Sequence, residues 1–194
     1  MKITSLTLGM FQTNTYIISD QENTVVIDPA ADLGVVGDIK ATAILLTHGH
    51  FDHTAGAAEI GAPIHIHESD AEMLNDIDKS FGTLYPRMFK PCQADVLVKD
   101  GDLLEFGEMR FKVMHTPGHS RGSVMYILDE SVMFTGDTLF EGSVGRIDGY
   151  GGSHEAQMKS LEKIKALDGD YRILPGHGEE TTLDREKRIN SFLL

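Results

Sequence analysis

The sequence contains a single cysteine, Cys92, and no tryptophan among its 194 residues. One thiol excludes an internal disulfide framework and any zinc site built on several cysteines. Basic residues are scarce: Lys and Arg total 17 against 30 Asp and Glu, a formal charge of −13 with histidine neutral, and the pI is near 5.0. Such a chain repels phosphate backbones and anionic lipid, so nucleic acid and membrane surfaces are excluded as partners, although a bound cation can reverse the field locally. No apolar run approaches the roughly 20 residues needed to span a bilayer. The amino terminus, Met1-Lys2-Ile3-Thr4-Ser5-Leu6-Thr7, alternates apolar and polar residues and lacks the continuous apolar stretch of a signal peptide. The expectation is a soluble, cytoplasmic protein whose 41% hydrophobic residues bury a substantial core in one domain, residues 1–194.

What is present is a series of short β-branched and apolar runs, at 2–8, 13–19, 24–28, 42–47, 63–67, 95–99, 109–115, 123–128, 131–135 and 171–174. Each has the length of a strand, and turn signals such as Asp20-Gln21-Glu22-Asn23, Asp28-Pro29 and Asp100-Gly101-Asp102 separate them. Helical periodicity is expected at 54–60, 69–76, 154–167 and 182–193. In the third, Met158, Leu161, Ile164 and Leu167 form one stripe behind a candidate cap, Ser153; the fourth opens on Thr181 and Asp184 in capping-box spacing. Neither a repeat nor a linker interrupts the chain. Residues 78–94, with Phe81, Tyr85, Pro86, Arg87, Phe89, Lys90 and Pro91, form the one long irregular stretch, either a lid or a solvated loop.

The nine histidines carry the chemistry. After the apolar run Ala43-Ile44-Leu45-Leu46 comes Thr47-His48-Gly49-His50-Phe51-Asp52-His53, four potential ligands within six residues. In an extended segment His48, His50 and Asp52 would face one point, and crowding three imidazoles and a carboxylate together is costly without a cation. Three further apolar runs end the same way: Phe111-Lys112-Val113-Met114 before His115-Thr116-Pro117-Gly118-His119, Val132-Met133-Phe134 before Thr135-Gly136-Asp137-Thr138, and Tyr171-Arg172-Ile173-Leu174 before Pro175-Gly176-His177-Gly178. Four strand ends of this kind can converge at one sheet edge, where open α/β folds place their sites. His48, His50, Asp52, His53, His119, Asp137 and His177 together exceed what one zinc requires, which points to two cations sharing a ligand. A carboxylate bridges two ions more readily than an imidazole, and spacing alone does not say which aspartate does so.

Thr47-His48-x-His50-x-Asp52-His53, Thr116-Pro117-Gly118-His119-Ser120, Gly136-Asp137-Thr138-Leu139-Phe140 and Pro175-Gly176-His177-Gly178, in this order, resemble the metallo-β-lactamase superfamily. Within it the resemblance is to the glyoxalase II, or hydroxyacylglutathione hydrolase, enzymes. It implies an α/β (α+β) fold, an αβ/βα four-layer sandwich of two mixed sheets with helices outside. It also implies that His48, His50 and His119 hold a first metal, that Asp52, His53 and His177 hold a second, and that Asp137 bridges them. The implied cofactors are two divalent ions, zinc foremost, with iron and manganese also accepting such ligands. The implied reaction is hydrolysis of a small anionic thioester such as S-D-lactoylglutathione, with Asp52 and Asp137 as the catalytic carboxylates.

The sequence departs from the longer glyoxalase II enzymes in two places. Only 17 residues follow His177 (194 − 177), so the carboxy-terminal helical domain that completes their glutathione site is not expected here. Where they place a lysine and a tyrosine near glutathione this chain has Arg146 and Asp148, and Gly145-Arg146-x-Asp148 with Gly151-Gly152 looks like the short, single-domain type. An Arg-x-Asp of this kind also occurs in persulfide dioxygenases, so a mononuclear iron dioxygenase is the competing activity, beside hydrolases of other esters, lactones or phosphoesters. The complete ligand set argues against a non-catalytic binding module. Arg146 is the candidate grip for a substrate carboxylate, or else an ion-pair partner of Asp148. Tyr85 and Lys90 are further substrate candidates, with Arg87 and Phe89, if residues 78–94 form a lid. Arg121 is expected in solvent. His65, His67, His115, His154 and Cys92 are given no role in the chemistry.

Overall fold

A computed structural model describes residues 1–30 and 39–194. Two six-stranded mixed sheets pack face to face. The first runs in the order β1 (Lys2–Leu8), β2 (Thr13–Ser19), β3 (Thr24–Ile27), β4 (Ala43–Leu45), β5 (Ile64–His67), β6 (Val96–Val98). Its first three strands form an antiparallel meander, and β3 to β6 are parallel. The second sheet contains β7 (Leu103–Phe106), β8 (Met109–His115), β9 (Val124–Leu128), β10 (Val132–Gly136), β13 (Arg172–Pro175) and β14 (Thr181–Thr182), in the order β14-β13-β10-β9-β8-β7. A small hairpin of β11 (Leu139–Phe140) and β12 (Ser143–Val144) stands apart from both.

Side-chain alternation assigns the layers. On β9, Val124, Tyr126 and Leu128 point to the inter-sheet core, where they meet Phe111, Val113 and Phe134 of the same sheet and Tyr16, Ile18, Ile27 and Leu45 of the other. The intervening Met125 and Ile127 point outward, against Leu161 and Ile164 of α3 (His154–Lys165) and Leu183 of α4 (Leu183–Ile189). Ile44 and Ile66 likewise cover Ala57 and Leu74 on the outer side of the first sheet. Strands β4 and β9 are buried on both faces, so they read as continuous apolar runs rather than alternating ones. The result is the expected four-layer sandwich, and no helix among the described residues is long and apolar enough to cross a membrane.

The helices fit the sequence less closely than the strands. The periodicity at 54–60 resolves into two single turns, α1 (Phe51–Thr54) and α2 (Ala57–Ile60), and 69–76 becomes a 3-10 turn over Ala71–Asn75. Ser153 caps α3 as anticipated, its hydroxyl accepting from Ala156 N at 3.3 Å. The cap of α4 is Thr182, not Thr181: the Thr181 hydroxyl donates to Glu186 at 2.7 Å, whereas that of Thr182 accepts from Arg185 N at 3.3 Å. The edge strand β7 was not anticipated because Leu-Leu-Glu-Phe has no β-branched residue.

Hydrogen bonds lock the sheets together at the edge where the histidine loops emerge. Tyr126 Oη donates to Leu46 O at 3.0 Å, Tyr16 Oη to Pro175 O at 2.6 Å, and Asn14 Nδ2 to Pro175 O at 3.1 Å and Gly178 O at 2.9 Å. Phe111 is fully buried between the sheets. Phe111→Ala is expected to cost about 3–5 kcal/mol, read as a lower urea midpoint with an unchanged slope.

Candidate metal centre

Four loops that follow β4, β8, β10 and β13 converge at this edge. The ligand atoms of His48, His50 and His119 lie within 4.8 Å of one another, as do those of Asp52, His53 and His177. In the first trio, His119 Nε2 is 2.8 Å from His50 Nδ1 and 3.2 Å from His48 Nε2. In the second, His53 Nε2 and His177 Nε2 are 3.3 Å apart, and Asp52 Oδ2 is 3.5 Å and 3.4 Å from them. Asp137 stands between the trios: Oδ1 is 3.4 Å from His53, and Oδ2 is 3.5 Å from His119 and 3.6 Å from His177. Gly176 permits this closeness, since a Cβ there would collide with the Asp137 carboxylate and the His53 ring.

The hydrogen bonds behind the rings aim their free nitrogens at one another. His119 Nδ1 donates to Arg146 O at 2.7 Å and His177 Nδ1 to Phe11 O at 3.1 Å. His53 Nδ1 donates to Asp28 Oδ2 at 3.0 Å. Thr47 Oγ1 donates to Asp28 Oδ2 at 2.6 Å, so it accepts from His48 Nδ1 at 3.1 Å. With each Nδ1–H consumed on the far side, Nε2 of all four rings faces inward, where a neutral ring offers a lone pair. Two such nitrogens at this distance are satisfied only by a proton or a cation between them. Asp137 Oδ1 and His50 Nε2 are buried with no hydrogen-bond partner, although burial of such atoms is costly. The donor set, nitrogens and carboxylate oxygens without sulfur, suits zinc, iron or manganese.

The electrostatics of the two trios differ. Burial, reinforced by the neighbouring imidazoles, holds His48 and His50 well below the usual histidine range. Burial would also depress His53, but Asp52, Asp137 and Asp28 outweigh it and push its pKa up to about 10. Asp52 is held well below the carboxylate range: His53 and His177 override its desolvation, and Thr13 Oγ1 adds a hydrogen bond of 2.9 Å. The second trio therefore attracts positive charge even without a metal.

The structure brings all seven candidate ligands together, with one change of partners. Asp52 does not join His48 and His50, because the chain becomes helical at Phe51 and the two-residue alternation of an extended segment stops there. Sequence reasoning missed Asp28, which is 1% exposed, has φ of 48° and also accepts from Thr47 N at 2.8 Å. A signal was available: Asp28 follows the apolar run of β3 just as the ligands follow theirs. Thr13 was missed as well, and nothing in the sequence distinguishes it.

Of the substrate candidates, Arg146 is exposed and forks onto Asp148 at 2.6 and 2.9 Å, with its guanidinium 5.5 Å from the Phe81 ring centre. Phe81, a bulky residue at φ 64°, in turn lies 4.7 Å from the His50 ring. Tyr85 packs against Phe11 at 4.9 Å and Phe51 at 5.7 Å, whereas Lys90 pairs with Glu59 on α2. Residues 78–94 thus reach the cluster through Phe81 on His50, Tyr85 packs on Phe11 and Phe51 beside it, and Lys90 is engaged elsewhere. Arg121 lies over the Tyr150 ring at 5.3 Å. His67 and His115 are stacked with ring centres 3.9 Å apart, outside the cluster.

The family model of the metallo-beta-lactamase superfamily matches residues 8–177. An uncharacterized protein of Mycobacterium leprae is 40% identical over 100% of this chain and 99% of its own length. The hydroxyacylglutathione hydrolase GloC of Haemophilus influenzae is 32% identical over 100% of this chain and 98% of its own. Among solved structures, the B3 metallo-beta-lactamase BLEG-1 superposes with a TM-score of 0.91 at 34% identity, covering 99% of each chain.

Two expectations follow from the geometry. Asp28→Asn replaces an acceptor of the His53 and Thr47 bonds, and zinc titration should show about 10- to 100-fold weaker binding. In metal-free protein, His48 and His50 bind protons less readily folded than unfolded, so stability falls as pH drops below about 6.5. His53 binds one more readily when folded; its contribution is complete below about 6.5 and is lost as pH rises toward about 10. The thermal midpoint in excess chelator is expected to peak near pH ~6.5, measured by calorimetry from about pH 5 to about pH 9.

Proposed function

The chain belongs to the metallo-beta-lactamase superfamily, and from that premise we propose that it is a thioester hydrolase working with two divalent ions, with residues 1–194 acting as one catalytic unit. The observation that carries this reading is the position of Asp137, whose carboxylate reaches His53 at 3.4 Å and His119 at 3.5 Å and so touches both trios. In this reading His48, His50 and His119 hold one ion, Asp52, His53 and His177 hold the other, and Asp137 is shared. Bound there, the ions supply a water of lowered pKa and electrophilic stabilisation of the oxyanion and departing thiolate.

The protein's own groups do the positioning. Asp52 Oδ2 is occupied by Thr13 and the second trio, which fixes the carboxylate and aims it to orient the attacking water. Addition of water to the thioester carbonyl breaks the C–S bond; the carbon leaves as a carboxylic acid, and the sulfur takes a proton to leave as a thiol. Arg146 is the anchor for a substrate carboxylate. Its pair with Asp148 is exposed on both sides and screened by solvent, so an incoming carboxylate can displace it. Two divalent ions add about +4 at the one place where a net charge of −13 would otherwise repel an anion. The substrate is therefore a small anionic thioester, of which S-D-lactoylglutathione is one case. Tyr85, beside Phe11, forms part of the same wall.

The test is to strip the protein with chelator, reload it with zinc, iron or manganese, and measure thioester turnover and metal content on the same samples. Thioester hydrolysis that rises with two ions per chain is expected, and Asp137→Ala should lower it by about 100-fold. One tightly held iron per chain, oxygen uptake with a persulfide and no thioester turnover would replace this reading with the dioxygenase.

A further inference from the structure

Resting on the reading of the cluster as a metal centre, we infer that Asp70 is the positioning residue that assembles the first trio, by fastening the His48–His50 loop to the His119 loop. Asp70 stands just before the 3-10 turn Ala71–Asn75 and is 1% exposed. Its Oδ2 accepts from Gly49 N at 3.1 Å and from Ser120 Oγ at 2.6 Å, and its Oδ1 accepts from Gly122 N at 2.7 Å. Gly49 is the residue between His48 and His50, and Ser120 follows His119.

Outside the loops themselves, Val124 N donates to Thr47 O at 2.8 Å and Tyr126 Oη to Leu46 O at 3.0 Å, and Asp70 is the side chain that joins the loops beyond those strand ends. One loop follows β4 in the first sheet, the other follows β8 in the second, and the two strands are not paired. The trio nonetheless requires His119 Nε2 within 2.8 Å of His50 Nδ1. A single carboxylate that accepts from both loops converts two independent positions into one. The approach is built in: a Cβ on Gly122 would lie 2.7 Å from Asp70 Cγ, so no other residue fits at 122 without moving the carboxylate. Burial pushes the Asp70 carboxyl above its usual range, and its three donors offset only part of that desolvation. Asp70 makes no hydrogen bond to any of the imidazoles. It acts on them through backbone, and the second trio, held by Asp28, Thr13 and the Phe11 carbonyl, does not touch it.

Asp70→Asn keeps the volume and turns an acceptor into a donor facing Gly49 N–H or the Ser120 hydroxyl. Zinc titrated into chelator-stripped protein by calorimetry should show one class of site weakened about 10- to 100-fold and the other retained, with the metal-free thermal midpoint recorded in parallel. Ser120→Ala removes one donor; it should weaken the same class less, and the double variant should bind no worse than Asp70→Asn alone. If Asp70→Asn does not fold, Ser120→Ala decides: a several-fold loss at one class supports the inference, and unchanged zinc affinity overturns it. Equal weakening of both classes in step with lost stability also overturns it, because that is what a merely structural carboxylate would do. Absence of zinc binding by the unaltered protein would overturn the metal reading and this inference with it, whereas zinc binding indifferent to Asp70 would overturn the inference alone.

Discussion

Imidazole nitrogens held face to face at about 3 Å are the constraint on which the rest of this structure depends. His119 Nε2 meets His48 Nε2 at 3.2 Å, and His53 Nε2 meets His177 Nε2 at 3.3 Å. None of these rings can turn away cheaply, since its other nitrogen is spent on a carbonyl, a carboxylate or a hydroxyl behind it. Breaking such a buried bond leaves an unsatisfied group at a cost of about 1–3 kcal/mol. The fold thus holds these nitrogens where a proton or a cation is needed between them, and the packing around the loops keeps them there.

That packing is the two-sheet core. Phe111, Tyr126 and Phe134 from one sheet and Ile18, Ile27 and Leu45 from the other make the loops ends of a stiff body rather than free segments. The two tyrosine hydroxyls and Asn14 cross from sheet to sheet next to the site, so their bonds fix the strand ends relative to one another. Two aspartates extend this control into the loops: Asp28 gathers Thr47 and His53, and Asp70 gathers Gly49, Ser120 and Gly122. Binding-site geometry held by rigid elements and a supporting shell in this way needs little reorganisation when charge arrives.

The seven ligand candidates were legible because their chemistry is local. His, Asp and Gly immediately after an apolar run is a pattern that survives in one dimension, and it repeated four times. The strand positions were legible for the same reason, since β-branched alternation records a half-buried sheet face. Short helices were not. Phe51–Thr54 and Ala57–Ile60 are single turns whose stability comes from burying Phe51 and Ala57, not from periodicity. Thr182 caps α4 because the Thr181 hydroxyl is taken up by Glu186, a contact visible only once the helix is in place. Asp28 and Asp70 went unread because a buried acceptor is identified by its donors, and those donors lie 19 to 52 residues away.

The sequence by itself determined the candidate ligand types, their placement at strand ends, the layered sandwich and the acidic net charge. Tertiary structure decided how closely those candidate ligands approach and which groups hold them. Asp52 left the extended row of His48 and His50 for His53 and His177, and Asp137 came to lie between the trios. The reason is geometric: residue types and spacing constrain what a loop can offer, whereas the meeting of loops from two sheets is fixed by sheet packing, by which carboxylate bonds which backbone N–H, and by where a missing Cβ lets chains approach.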